Sequence, residues 1–382
     1  MIRRPVLCLL LAALGGCSLL NIFDSDDPRK PVPLTEFTQT LKVAPVWNYG
    51  IGGAGRFFFS PANLGGDLIV AGTDGNIARI NAFTGAQVWK ISVDDKLSAG
   101  VGADAGTFAV ATTKGDLIAF DLDGKQRWRI SIGGQVLSPP GVGDGIVVAR
   151  TTDGRFLAFD SGTGQKRWIY QRAPQPLVLR VAPGMVIYSG TLYAGLAGGR
   201  LIAVTDSNGG LRWDVAVTIP RGATELERVA DVMGTPVLGS RQVCVATFQG
   251  RAGCFDQATG STVWTHEIST TSGMGVDQHG AYISDEKSVV QALAHPAGVS
   301  LWKNDKMMYR ALGTPTPYRG AVVVADYAGF VHWLSEDDGA LIARVPTDGS
   351  IIRVAPIVVS NGTAELVVVQ TVNGGIYAFS SQ

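Results

Sequence analysis

Four histidines, two closely spaced cysteines, an Asp-x-Asp-Gly run and a Gly-x-Gly-x-x-Gly string are the features of this 382-residue chain that could do chemistry. Asp121-Leu122-Asp123-Gly124 offers two spaced carboxylates, but the other oxygen ligands of a calcium loop do not follow, so the run reads as a turn. His266, His279, His295 and His332 lie in different contexts without the spacing of a zinc-binding helix, and read as scattered surface residues. Gly50 to Gly55, GIGGAG, fits a dinucleotide fingerprint, which needs its last glycine to open a helix that meets the pyrophosphate. RFFFSPANLGG follows instead, and its Pro61 and paired glycines predict no helix. Asn361-Gly362-Thr363 is a glycosylation sequon by pattern only. Cys244 and Cys254 flank a hairpin that turns near Gln249-Gly250. A two-residue turn sets Val245 opposite Cys254 and points the thiols to opposite faces, whereas a bulge would bring them together. No catalytic, metal-binding or cofactor-binding set emerges, and no cofactor is expected.

The ends and the charge bound what remains. With 32 basic and 32 acidic side chains there is no basic stripe for nucleic acid. Arg3 and Arg4 precede the apolar run PVLCLLLAAL, which is too short to span a bilayer and reads as an export signal over residues 1–16. Leu14-Gly15-Gly16-Cys17 resembles the bacterial lipoprotein box, which implies acylation at Cys17. Ser18, rather than Asp, at the second mature position implies transport to the outer membrane by the same resemblance. Residues 17–41 are polar, charged and Pro-rich, as suits a flexible tether.

The elements that would position any site are repeats. Gly75, Gly115, Gly154, Gly199, Gly250, Gly329 and Gly374 open equivalent strand-turn-strand units, and Ser288 takes that place in one more, giving eight. Spacings are 40, 39, 45, 51, 38, 41 and 45 residues. A tryptophan follows each opening residue after 13 or 14 positions, at Trp89, Trp128, Trp168, Trp213, Trp264 and Trp302, while the seventh unit has Ala343 there. Four short strands per unit of about 40 residues is the period of a β-propeller blade. The eighth unit stops at Gln382 before any tryptophan strand, and the strand around Trp47 has no unit before it. Pairing these two ends closes the ring and removes its free edge. The expectation is an all-β, eight-bladed propeller over 42–382, closed by the N-terminal strand, with all seven tryptophans packing between blades at the rim.

Several units match Ala-x-Asp-x-x-Thr-Gly-x-x-x-Trp, fully at Ala158, Asp160, Thr163, Gly164 and Trp168. That pattern resembles the repeat of quinoprotein dehydrogenases, which implies one function class: a periplasmic enzyme with a quinone and Ca²⁺ over the central channel. With the lipobox, the eight units, TELERVADVMGTPV (224–237) and LVLR (177–180), residues 17–382 resemble the BamB family of lipoprotein scaffolds more fully. This resemblance implies a non-enzymatic, lipid-anchored subunit of the outer-membrane β-barrel assembly (BAM) complex. Its partners would be the periplasmic (POTRA) domains of BamA and other subunits, with nascent outer-membrane proteins a further candidate.

One loop breaks the period. From the rim tryptophan (or Ala343) to the proline opening the next blade is 12 to 15 residues at Trp47, Trp128, Trp168, Trp302 and Ala343, but 23 from Trp213 to Pro236. Insertions in repeat proteins map to a functional face. The long loop carries Glu225, Glu227, Arg228 and Asp231, and the neighbouring one carries Leu177, Leu179 and Arg180, a mixture that suits a protein interface. The family contact with BamA is attributed to a Leu-x-Leu-Arg segment and an Asp-x-Asp pair, which Leu177, Leu179, Arg180 and Asp231 match and Met233 does not. Arg-Val-Ala-Pro also recurs at Arg353, so Arg180 has a repeat role to compete with its contact role.

Overall fold

The computed structural model describes residues 29–173, 177–179, 181 and 183–381; Cys17, the signal segment and Arg180 lie outside the described residues. From Pro31 onward the chain forms one compact unit of eight four-stranded antiparallel sheets arranged as a ring. The second blade is typical, with strands Gly102–Ala103, Phe108–Ala111, Asp116–Phe120 and Gln126–Ser131 running from the ring centre outward. In its third strand Ile118 and Phe120 bury against the first blade, while Leu117 and Ala119 bury against the third. The strand period of two thus feeds both neighbours, and the core lies between blades.

The tryptophan series has a specific task. Six of the rim tryptophans sit across their own sheet from a small residue, among them Trp168 from Ala158, Trp264 from Cys254 and Trp302 from Ala292, while Trp89 faces Arg79. The indole then covers the turn of the next blade. Trp128 Nε1 donates to Ser161 O at 3.0 Å, Trp213 to Gln257 O at 3.0 Å and Trp302 to Glu336 O at 2.7 Å. The glycine of that turn is the platform: Gly164 has φ +72°, and a Cβ there would lie 2.8 Å from the Trp128 ring. Asp160 shapes the same turn by accepting from the amides of Gly162 and Thr163 at 3.1 and 2.8 Å. The repeat motif is therefore an inter-blade lock. In the seventh blade the large and small partners exchange strands. Trp333 faces Ala343, is wholly buried, and packs edge-on against Phe379 at 5.9 Å.

Closure follows the expected route. Val43–Gly50 pairs antiparallel with Gly375–Ser381, placing Trp47 opposite Ala378. Trp47 Nε1 then donates to Ala82 O of the first blade at 3.1 Å, so the outer strand of the last blade locks onto the next as the Trp89, Trp128, Trp168, Trp213 and Trp302 strands do; Trp264 covers its glycine turn without this bond. The segment before it, assigned to the tether, also meets the ring: Val32 N donates to Met308 O in the connection between the sixth and seventh blades, and Thr40 N and Leu41 N to Ile342 O of the seventh.

Two expectations change. Cys244 and Cys254 are directly cross-strand partners, 4.1 Å apart at Cα, and form a disulfide. The connection is not a two-residue turn: Ala246 pairs with Ala252, leaving five residues between them and shifting the register by one. His332 is not on the surface but has 0% exposure. Its Nε2 lies 3.2 Å from Asp326 Oδ2, and its Nδ1 accepts from Arg344 Nε at 3.1 Å. Burial holds its pKa below the usual imidazole value.

Candidate partner-binding face

Two neighbouring connections build the face: the one after the outer strand Lys166–Gln171 of the third blade and the one after Leu211–Ala216 of the fourth. The second is long enough to form a turn of its own. Thr224 opens it, and Glu227 three residues later reaches back, its carboxylate accepting from Ala223 N at 2.7 Å and Thr224 N at 3.1 Å. These amides hold the Glu227 pKa below its ordinary value. Arg228 Nε donates to Gly222 O at 3.0 Å, and its guanidinium lies 3.6 Å from Glu225. Thr224-x-x-Glu227 is a capping box, and the loop is a pre-shaped turn rather than a floppy insertion.

Asp231 joins the two connections. It is 4% exposed, and its Oδ2 accepts from the Leu179 amide at 2.7 Å while Oδ1 accepts from Gly198 N at 3.1 Å. The structure therefore brings Leu179 and Asp231 together, with the carboxylate holding the main chain of the Leu-x-Leu segment. Beneath that bond is a cavity of about 350 Å³, lined by Leu137, Val178, Leu179, Leu196, Arg150 and Asp231 among others. Arg150 donates to Gly195 O at 2.8 Å and lies over the Phe156 ring. Burial pushes its pKa down to about 10, opposed by the Asp231 carboxylate.

What faces outward differs in part from the sequence reading. Leu177, Glu225, Glu227 and Arg228 are exposed, Leu179 is half-buried, Asp231 is buried, and Arg180 falls outside the described residues. Two apolar side chains that sequence reasoning missed are the most exposed of all: Leu226 at 72% and Ile219 at 70%. Val178 accompanies Leu177 outside. The signal was available, since apolar residues in an insertion outside the strand alternation have no blade to bury against. Met233 is buried on the inner strand Val232–Leu238 and lines the central opening, so it does not stand in for a surface acid.

That central opening, about 740 Å³, is where a quinone would lie. Its described lining mixes apolar side chains such as Phe58, Met233, Met274 and Ile352 with the hydroxyls of several Ser, Thr and Tyr residues, with Arg353 the single charged side chain and no Asp, Glu or Asn. Ca²⁺ binding takes carboxylate and amide oxygens, so these residues do not fit such a centre. Arg353 instead donates to Gly55 O at 3.0 Å, tying the last blade to the segment before the first.

A family model described as outer membrane protein assembly factor BamB matches residues 73–304. The chain belongs to the BamB family. The BamB of Burkholderia pseudomallei is 42% identical, with 98% of this chain and 97% of that protein covered. The BamB of Pseudomonas aeruginosa is 36% identical over 94% of each. Among solved structures, BamB from Moraxella catarrhalis superposes with a TM-score of 0.80 at 24% identity, covering 89% of this chain and 100% of that one. The quinohemoprotein alcohol dehydrogenase of Comamonas testosteroni shares the fold at a TM-score of 0.69 and 13% identity, covering 88% and 76%. Membership of the BamB family thus extends over nearly the whole chain.

Proposed function

We propose that this chain is a non-enzymatic scaffold subunit of the outer-membrane β-barrel assembly complex, lipid-anchored through Cys17 at the periplasmic face of the outer membrane. On this reading the signal (1–16) is removed and 17–41 spans from the lipid to the ring. The paired loops after the third and fourth blades bind the periplasmic domains of BamA. The observation that carries the reading is the Leu179–Asp231 bond, which fixes two loops of adjacent blades into one surface with Leu177, Val178, Ile219 and Leu226 exposed. Apolar anchors set among charges suit a protein interface, and the Asp231 bond to the Leu179 amide limits the entropy lost on association. The lack of carboxylate and Asn side chains among the described residues lining the central opening favours a scaffold over a quinone dehydrogenase. Affinity purification of the full chain from solubilised outer membranes tests the proposal: BamA should be among the co-purifying proteins. Recovery of the chain alone, under conditions that keep the complex intact, would count against it.

A further inference from the structure

We infer that Asp277, His279 and Glu336 form a divalent-metal site of the Zn²⁺ class that clamps the sixth blade to the seventh. Asp277 and His279 lie in the turn between the strands Met274–Val276 and Gly280–Ser284, and Glu336 follows the strand Phe330–Ser335 of the next blade. One ligand atom from each lies within 4.8 Å of the others. His279 Nδ1 is 3.2 Å from Glu336 Oε1 and 4.0 Å from Asp277 Oδ2. Tetrahedral zinc with N and O ligands at about 2.0 Å separates them by about 3.3 Å, so the first distance already fits and rotation of the exposed His279 closes the second.

The two carboxylates are fixed by the fold and not by a basic side chain. Asp277 Oδ1 accepts from His279 N and Gly280 N, both at 2.9 Å, which leaves Oδ2 for a ligand. Glu336 is held by its main chain, whose carbonyl accepts from Trp302 Nε1, and its Oε1 accepts from the Tyr282 hydroxyl at 2.7 Å. Tyr282 is buried, and a hydroxyl behind a carboxylate ligand is the supporting contact that orients such groups. No lysine or arginine among the described residues of the ring forms an ion pair with either acid. The corresponding carbonyl acceptors at other blade junctions are Ala82, Leu122, Ser161, Asp206 and Gln257. Of these only Asp206 is acidic; it faces Asp144, and no histidine joins that pair. One imidazole with two carboxylates suits Zn²⁺ better than Ca²⁺ or Mg²⁺, which take all-oxygen sets.

The test uses the full chain, purified in detergent, freed of any affinity tag and of metal by EDTA. Zn²⁺ titration should show one saturable site per chain, and bound Zn²⁺ should raise the melting temperature. His279→Ala and Glu336→Gln should each weaken binding by more than about 100-fold, beyond the roughly 10–100-fold typical for loss of a supporting contact, while melting as wild type does in EDTA. His266→Ala, in the outer strand of the fifth blade, should bind as wild type does. Absence of saturable binding, or binding unchanged in both site variants, overturns the assignment and leaves His279 as an ion-pair partner of Glu336.

Discussion

Asp231 and Glu227 bring charge to the candidate face, yet both carboxylates are engaged by main-chain amides. Asp231→Asn leaves an amide oxygen for one of Leu179 N and Gly198 N but turns a donor toward the other. A buried donor without an acceptor costs about 1–3 kcal/mol. Hydrogen exchange at Leu179 and Gly198 should therefore accelerate, while amides in the inner strands keep their protection. Unchanged exchange there would mean that Asp231 does not hold the loop. His332 gives a second prediction at this scale. Its folded pKa lies below its unfolded one, so the unfolded chain binds the extra proton first. The stability it contributes is present above about pH 6.5 and is lost as pH falls from there toward the folded pKa. Melting temperature measured from pH 7.5 to 5 should drop on acidification, and His332→Gln should flatten that slope.

At the scale of elements, the lock between rim tryptophan and glycine turn makes the repeat motif testable. Gly164→Ala forces a side chain into the left-handed region and against the Trp128 indole, so it should cost about 1–3 kcal/mol in chemical denaturation. Gly349→Ala shares a positive φ but has open space around its Cβ, so it isolates the backbone part of that cost. The Cys244–Cys254 bond closes a short loop, and its reduction should lower stability by about 2–3 kcal/mol, read as a lower melting temperature with reductant. The motif was legible beforehand because one repeated period carries the glycine, the turn acid and the tryptophan together. The disulfide was not, because it depends on whether the hairpin connection holds two residues or five, and nothing in Thr247 to Arg251 states its length. His332 escaped for a related reason. Strand alternation says that it points to one face, but not that the face is closed over by Arg310, Arg344 and Asp326. On the loops, charge and apolar content singled out a candidate region, while the inward turn of Asp231 comes from a main-chain path that no period specifies.

Across the whole molecule, the ring depends on its two ends meeting. Trp47 is buried, pairs opposite Ala378 and bonds to Ala82 O. Trp47→Ala should cost about 3–5 kcal/mol, and deleting Val43–Gly50 should cost more, since it also strips Gly375–Ser381 of its outer partner. A melting temperature unchanged by the deletion would contradict closure through this strand. Anchorage is separable from folding: Cys17→Ala should release the chain from outer-membrane fractions and abolish fatty-acid labelling without moving that melting temperature. The central claim is that the paired loops are the surface by which the scaffold holds its partner. Loss of a central apolar anchor typically costs about 2 kcal/mol or more, roughly thirtyfold in affinity. The most direct measurement is recovery of BamA with the full chain bearing Leu226→Asp or Leu177→Asp, beside Val299→Asp, an apolar position on the sixth blade whose exposure lies between those two. The loop variants should lose BamA while melting as wild type does, and Val299→Asp should retain it; wild-type recovery with both loop variants would contradict the account.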